Sequence, residues 1–439
     1  MRKADAARRP YIPIASVAPT TITRDVLPNG LRLLTERMPH VRSVSIGVWL
    51  TRGSRHESVE QSGIAHFVEH MLFKGTATRS AEDIAQTIDS IGGQMDAFTA
   101  KEYAGYYLKV LDEHLPLAVD VLSDIVMRPA LSADDVEREK KVVVEEIKMV
   151  EDTPDDLVHE LFTEGFWPDH PLGRPILGTR ETVEALSADG LRQYFTTAYS
   201  APNLIVAAVG NIEHAQVREL VARAFEGLPI VSTPLGDIPP RVVPHVLIRN
   251  KELEQSHVCL GTSGYQQDHV DRYASYVLNI VLGGSMSSRL FQNVREKRGL
   301  AYAVFSGLVA YRDAGSVTVY AGCANNAVGE LIDVVIGELR RLKTETLPES
   351  ELRRAKDHLK GSLMLNLEST SSRMSHLARQ EIYFDRQFGL DETLEGVERV
   401  SQDDVRRVAQ DLFTDRGLAA TVLGAVNGLE LPPERLALG

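Results

Sequence analysis

The residues best equipped for chemistry are His66-Phe67-Val68-Glu69-His70. Read as a helix, the stretch puts His66 and His70 on one face, four residues apart. Two imidazoles so placed can hold one Zn²⁺. That ion takes nitrogen, oxygen or sulfur ligands in a tetrahedron, and a catalytic site keeps one corner for water. Glu69 is three residues from His66 and adjacent to His70, where its carboxylate can take a proton from that water. The flanking Ile64, Phe67, Val68, Met71 and Leu72 are apolar, so the helix is expected to be well buried. Two histidines and a glutamate buried without partners would be costly. The competing reading is a chance pattern on a helix with one wet face.

A zinc site needs a third protein ligand. The candidate stretch is Asp135-Val136-Glu137-Arg138-Glu139-Lys140-Lys141-Val142-Val143-Val144-Glu145-Glu146. Glu139 and Glu146 are seven apart and share a helix face, with Val142 and Val143 expected between them on that side. Glu145 is turned about 100° away from Glu146. A carboxylate pair beside an apolar strip suits a metal ligand, Glu146, and a supporting carboxylate, Glu139. The same run also reads as a solvated, charge-rich helix with i,i+4 pairs. Position in the chain leaves both readings open.

Composition narrows the class. The chain has 439 residues, 43% hydrophobic and 25% charged, which fits a globular protein of two or more domains. Its two cysteines, Cys259 and Cys323, exclude a disulfide framework, and neither has a CxxC partner for zinc. A net charge of −13 argues against nucleic acid as a partner. If that charge lines a cavity it would draw in basic peptides. No run of 18 apolar residues exists, so no membrane span is expected. The basic start, with Asp5 and Pro10, makes a poor signal or transit peptide. A cytoplasmic protein is expected, with an organelle matrix as the alternative.

The elements that must position these residues fall into two halves. Residues 1–20 read as a flexible N-terminus, 21–226 as the zinc-binding half-unit, 227–245 as a linker and 246–439 as a metal-free half-unit. The linker carries prolines at 229, 234, 239, 240 and 244. The expected fold class is α+β: two tandem, similar α/β half-units, each a mixed, mainly antiparallel sheet flanked by helices. The sequence itself repeats. Ala65-His66-Phe67-Val68-Glu69-His70 aligns with Ala274-Ser275-Tyr276-Val277-Leu278-Asn279, and Leu131-Ser132-Ala133-Asp134-Asp135 with Leu347-Pro348-Glu349-Ser350-Glu351. In the second copy His66, Glu69 and His70 become Ser275, Leu278 and Asn279, while Glu139 and Glu146 become Ala355 and Ser362. All five are lost together, as expected of residues that act as a unit.

These features carry a family resemblance. H-x-x-E-H is the zincin motif written backwards, the inverzincin pattern. That motif, the 76-residue gap from His70 to Glu146, and Glu139 seven residues before it resemble the pitrilysin-like inverzincin metallopeptidases. The short-chain branch, which resembles the processing-peptidase β subunit, is the nearer match. Supporting segments are Leu27-Pro28-Asn29-Gly30-Leu31, Gly92-Gly93, His170-Pro171-Leu172-Gly173 and Arg295-Glu296-Lys297-Arg298-Gly299-Leu300-Ala301-Tyr302. The resemblance implies a zinc endopeptidase with one Zn²⁺ per chain on His66, His70 and Glu146. It implies Glu69 as base and Glu139 as support.

The same resemblance implies that Gly93, Gln94, Met95, Asp96, Ala97 and Phe98 form a strand that binds extended peptide. Read alone, the stretch is equally a glycine turn into an ordinary strand. Family members usually carry Asn where Asp96 stands, so an added negative charge is expected beside the metal. Arg295 and Tyr302 match the pair that binds substrate and polarises the scissile carbonyl. The family's chamber has four half-units and this chain supplies two. A homodimer is therefore expected, with Arg295 and Tyr302 acting in trans. The alternatives are a non-enzymatic assembly subunit and a catalytic subunit with a different partner.

Overall fold

Leu204 to Val209 is an unbroken apolar run, and Val44 to Leu50 is one interrupted only by Ser45 and Gly47. A strand reads that way when both its faces are covered. The computed structural model describes residues 21–231 and 234–439, and shows what covers them. The expected flexible N-terminus lies outside the described residues. The first half runs β1 (Ile22–Val26), β2 (Arg32–Arg37), β3 (Ser43–Leu50), α1 (Ile64–Leu72), α2 (Ala81–Asp89), β4 (Gln94–Thr99) and β5 (Ala104–Leu111). It continues through α3 (Leu115–Met127), α4 (Ala133–Asp152), α5 (Pro154–Phe166), α6 (Arg180–Ala185), α7 (Ala188–Ala198), β6 (Leu204–Gly210) and α8 (His214–Ala224). The second half begins β7 (Val246–Asn250), β8 (Gln255–Gly264), α9 (Arg272–Leu282), β9 (Ala301–Ala310), β10 (Gly315–Ala324) and α10 (Val328–Thr344). It ends α11 (Glu349–Asn366), α12 (Thr370–Phe384), α13 (Leu390–Arg399), α14 (Gln402–Leu412), β11 (Ala419–Gly424) and α15 (Pro433–Leu436).

The first sheet has the strand order β1-β2-β6-β3-β5-β4 and the second β7-β11-β8-β10-β9. Apart from the extra β1, the two orders are the same. Each sheet has one parallel pair, β2 with β6 and β7 with β11, and is otherwise antiparallel. The expected class of two tandem α/β units with mixed, mainly antiparallel sheets is therefore the observed one. Among the described residues no helix is long and apolar enough to cross a membrane.

The halves exchange helices. On one face of the first sheet Val44, Ile46, Val48 and Val206 pack with α1, α3 and α4 in the main core. On the other, Trp49, Ile205, Ala207 and Val209 pack against Met374, Leu377, Ala378 and Ile382 of α12, a helix of the second half. In return α5 of the first half places Leu157, Val158, Phe162 and Phe166 against Cys259, Ala419 and Leu423 of the second sheet. Polar contacts reinforce the exchange. Buried Arg55 donates to Glu102 (2.7 Å), to Asp313 (2.5 Å) and to the Ile238 carbonyl (3.0 Å). Arg24 donates to the fully buried Glu381 at 2.9 Å.

The start of α1 fixes where its histidines sit. Gly63 caps the helix at φ 95°, and a Cβ there would stand 2.5 Å from the Leu177 carbonyl oxygen. The Glu57 carboxylate then accepts from the Gly63 and Ala65 N–H groups, each at 2.8 Å. These are donors that a helix end leaves without intrahelical partners. Burial pushes the Glu57 carboxyl up from 4.5 to about 7, against the pull of those two bonds.

The sequence expectation for α4 needs one correction. Val143 is fully buried, but Val142 is 48% exposed. At 100° per residue, buried Val136 and Val143 lie about 60° and 40° to one side of Glu139. Val142 lies about 60° to the other, beyond the edge of the packed face.

Two outcomes follow from this packing. Leu377→Ala should destabilise the chain by about 2–5 kcal/mol. Calorimetry should still show one transition, because α12 and α5 tie each sheet to the other half; two separated transitions would refute the coupling. The second concerns pH. Glu57 binds its proton more tightly folded than unfolded, so stability should fall as pH rises from about 4.5 to about 7. In Glu57→Gln, urea midpoints across that range should lose this component of the slope.

Candidate active site

α1 presents His66 and His70 on one face, with ring centroids 4.5 Å apart. α4 lies across α1 and brings Glu146 to the same place. One ligand atom from each of His66, His70 and Glu146 falls within 4.8 Å of the others. Glu146 Oε2 is 3.7 Å from His66 Nε2 and 3.6 Å from His70 Nε2. Those distances are too long for direct hydrogen bonds. They are close to the about 3.4 Å between donors that share one tetrahedral zinc ion. The two nitrogens and one oxygen are also the donor types of a catalytic zinc site. The three residues therefore fit the ion.

Protonation suits the same role. Burial, followed by the charge of His70, pushes His66 down to about 3, so its imidazole is neutral at pH 7. His70 Nδ1–H donates to Glu139 Oε1 at 2.9 Å, which leaves the Nε2 lone pair facing Glu146. Glu139 is only 4% exposed, and its other oxygen receives Lys74 Nζ at 2.8 Å. His66 Nδ1 is buried without a hydrogen-bond partner. Glu145, the rejected neighbour, faces outward and pairs with Lys148 at 2.6 Å.

Glu69 stands beside this cluster. Thr99 Oγ1 donates to Glu69 Oε2 at 2.5 Å, which leaves Oε1 free. Burial raises the Glu69 carboxyl and the Thr99 bond opposes that rise. Glu69, His70, Lys74, Met95 and Asp96 line one open cleft of about 320 Å³. β4 forms one wall and is the edge strand of its sheet, so its outer backbone groups lack a strand partner. The Asp96 carboxylate accepts from the Tyr107 hydroxyl at 2.9 Å.

The sequence-predicted strand residues divide. Met95 and Ala97 pack on the α1 side, whereas Phe98 turns to the opposite face beside Trp49 and Tyr103. The two glycines before the strand answer to local needs. Gly92 sits at φ +62°, and a Cβ on Gly93 would meet Ile88 Cγ2 at 3.0 Å. Gln94 is exposed. Arg295 and Tyr302 come together with each other: Arg295 Nη1 donates to the Tyr302 carbonyl at 3.1 Å, and its Cζ lies 4.5 Å from the Tyr302 ring. Tyr302 is on edge strand β9 and 79% exposed, and Arg295 is on the helical turn before it. Neither lines the cleft at His70.

Sequence reasoning passed over Thr99, Lys74 and Glu57. Thr99 was within reach, since strand alternation puts it on the face of Met95 and Ala97. Lys74 lies four residues after His70 on the same turn of chain. Nothing in the local pattern marks Glu57, because its contact is made through a folded-back loop.

Comparison with known proteins places the chain in a family. Residues 32–180 match the family described as Insulinase (Peptidase family M16), and residues 185–359 match Peptidase M16 inactive domain. An uncharacterized zinc protease of Bacillus subtilis is 44% identical over 394 residues, covering 90% of this chain and 96% of its own. One from Mycobacterium tuberculosis is 41% identical over 436 residues and 98% of both chains. The crystal structure of a protease from Helicobacter pylori shares the fold with a TM-score of 0.86 at 24% identity, over 92% of this chain and 99% of that one. On these matches, the chain belongs to peptidase family M16, the insulinase family.

Proposed function

We propose that the protein is a zinc-dependent endopeptidase that hydrolyses unfolded or extended peptides. His66, His70 and Glu146 would hold one Zn²⁺ per chain. The observation that carries the reading is the convergence of these three donors beside Glu69, in a cleft open to solvent. The names of relatives, zinc proteases at 41–44% identity, support the same activity. When bound, the metal lowers the pKa of water and polarises a carbonyl.

The chain's own groups do the rest. Thr99 holds Glu69 Oε2, so Oε1 is the atom that takes the proton of the attacking water and later passes it to the leaving amine. Glu139 holds His70 in the tautomer that leaves Nε2 free. Extended peptide adds to the β4 edge, aligned by main-chain hydrogen bonds, which makes sequence preference loose. Asp96 in the cleft favours a basic side chain near the scissile bond.

Arg295 and Tyr302 supply a cation and a phenol for the developing oxyanion. They lie outside the zinc cleft of their own chain. In a homodimer that faces half-unit to half-unit they would complete the partner's site.

Two measurements test this. Wild type should contain one zinc and cleave a quenched basic peptide. Glu69→Gln should keep the zinc and lose about 10²–10⁴ in kcat. A wild type that binds no zinc and cleaves nothing would remove the peptidase reading. For the trans arrangement, Glu69→Gln and Arg295→Ala should each be inactive alone. An equal mixture should regain up to about a quarter of wild-type rate, since half the dimers are mixed and each has one complete site. Recovery of none would sink the shared site.

A further inference from the structure

The second half holds a cavity that the peptidase reading leaves without a role. It lies between α9, α11, α12 and α13 and has a volume of about 220 Å³. The first half has a cavity in the corresponding place, against α4, α5 and α6. There, Lys148 and Arg180 face Glu151, Glu160 and Glu181, so charges of both signs line it. In the second half the lining has changed. Leu359, Leu363 and Val397 are apolar, Tyr276 and Phe384 are aromatic, and no carboxylate is present.

Two guanidinium groups face this cavity. Arg272 Cζ stands 4.5 Å from the Tyr273 ring, 5.4 Å from Phe384 and 5.5 Å from Phe388. Its N–H groups reach only the His269 carbonyl (3.4 Å) and the Tyr273 hydroxyl (3.2 Å). Arg379 projects from α12 beside Tyr276 and His376. Among the described residues no carboxylate pairs with either arginine. Burial and the neighbouring Arg379 and Arg373 push His376 down to about 4, so it adds no charge at pH 7. The chain as a whole carries −13, which makes an aromatic pocket with two uncompensated cations an exception to its surroundings.

A guanidinium packed against rings, with no carboxylate of its own, is half of an ion pair. The missing half must be planar enough for bidentate pairing and must bring an apolar body for the ring wall. A cavity of about 150 Å³ accepts benzene. This one has room for a ring plus a short acid arm. We propose that the cavity binds a small aromatic carboxylate, its acid group meeting Arg272 and Arg379 and its ring lying against Tyr273, Phe384 and Phe388. The site sits behind α12, whose other face covers Trp49 and the first sheet. Occupancy would therefore brace the helix that ties the halves together.

The test is binding to the full chain, which is independent of peptidase activity. Phenylacetate and indole-3-acetate are titrated by calorimetry, with their neutral amides and plain acetate as controls. The acids should bind with one site per chain and raise the unfolding midpoint by about 2–5 °C near saturation. The amides and acetate should bind at least about tenfold more weakly. Exposed Arg379 can be changed without touching the core, so Arg379→Gln should fold as wild type and lose about tenfold in acid affinity. Arg223→Gln, on the exposed face of α8 in the first half, should change nothing. Equal binding of acids and amides would overturn the proposal, as would full affinity in Arg379→Gln. So would the absence of acid binding up to about 5 mM.

Discussion

The contact between α1 and α4 is the constraint on which the rest of the molecule depends. It gathers two imidazoles and three carboxylates into one small volume. Such a cluster is tolerable only if each charge has an opposite charge, a donor or an ion to face. Glu139 meets that condition with His70 and Lys74, and Glu69 meets it with Thr99. Glu146 and the two Nε2 atoms face one another across 3.6–3.7 Å, a spacing that a cation between them would satisfy. The surrounding scaffold holds that geometry in place. Gly63 and Glu57 fix one end of α1, and the buried Val136 and Val143 seat α4.

A sheet with one helical face needs a cover for the other. Here each sheet takes that cover from its neighbour: α12 on the first, α5 on the second. This gives the second half a structural role even though Ser275, Leu278, Asn279, Ala355 and Ser362 stand where the first half carries its histidine and glutamate cluster. The second half is a structural partner before it is anything else. It also carries Tyr302 on edge strand β9 and Arg295 on the helical turn before it, away from the cleft of their own chain. An exposed phenol stacked with an arginine has little use in the isolated chain.

The duplication shows how one architecture diverges once its chemistry is split. The strand order is kept, and so is the cavity between the long helix and its successor. What changes is the side chains. Ser275, Leu278 and Asn279 stand where α1 carries His66, Glu69 and His70, and Arg272 with aromatic neighbours replaces a lining of mixed charge. The backbone tolerates both sets because the buried contacts are made beside them, through Val277 and Val281 of α9 as through Val68 and Leu72 of α1.

The H-x-x-E-H spacing, the paired Glu139 and Glu146, the proline-rich joint and the internal repeat were legible because each is a local pattern with a fixed period. Helix periodicity alone puts His66 with His70. The largely apolar runs of β3 and β6 likewise announce strands covered on both faces. Local pattern could not say which side of α4 meets the core, so Val142 and Val143 read alike although only one is buried. It could not say that Glu57 reaches back to the start of α1, or that α1 is the element that meets the Thr99 face of β4. It could not reveal that α12 and α5 change places. Those facts depend on which surfaces meet after residues far apart in sequence come together. A sequence fixes the period of each element, and packing alone selects which face of that element is turned to its neighbours.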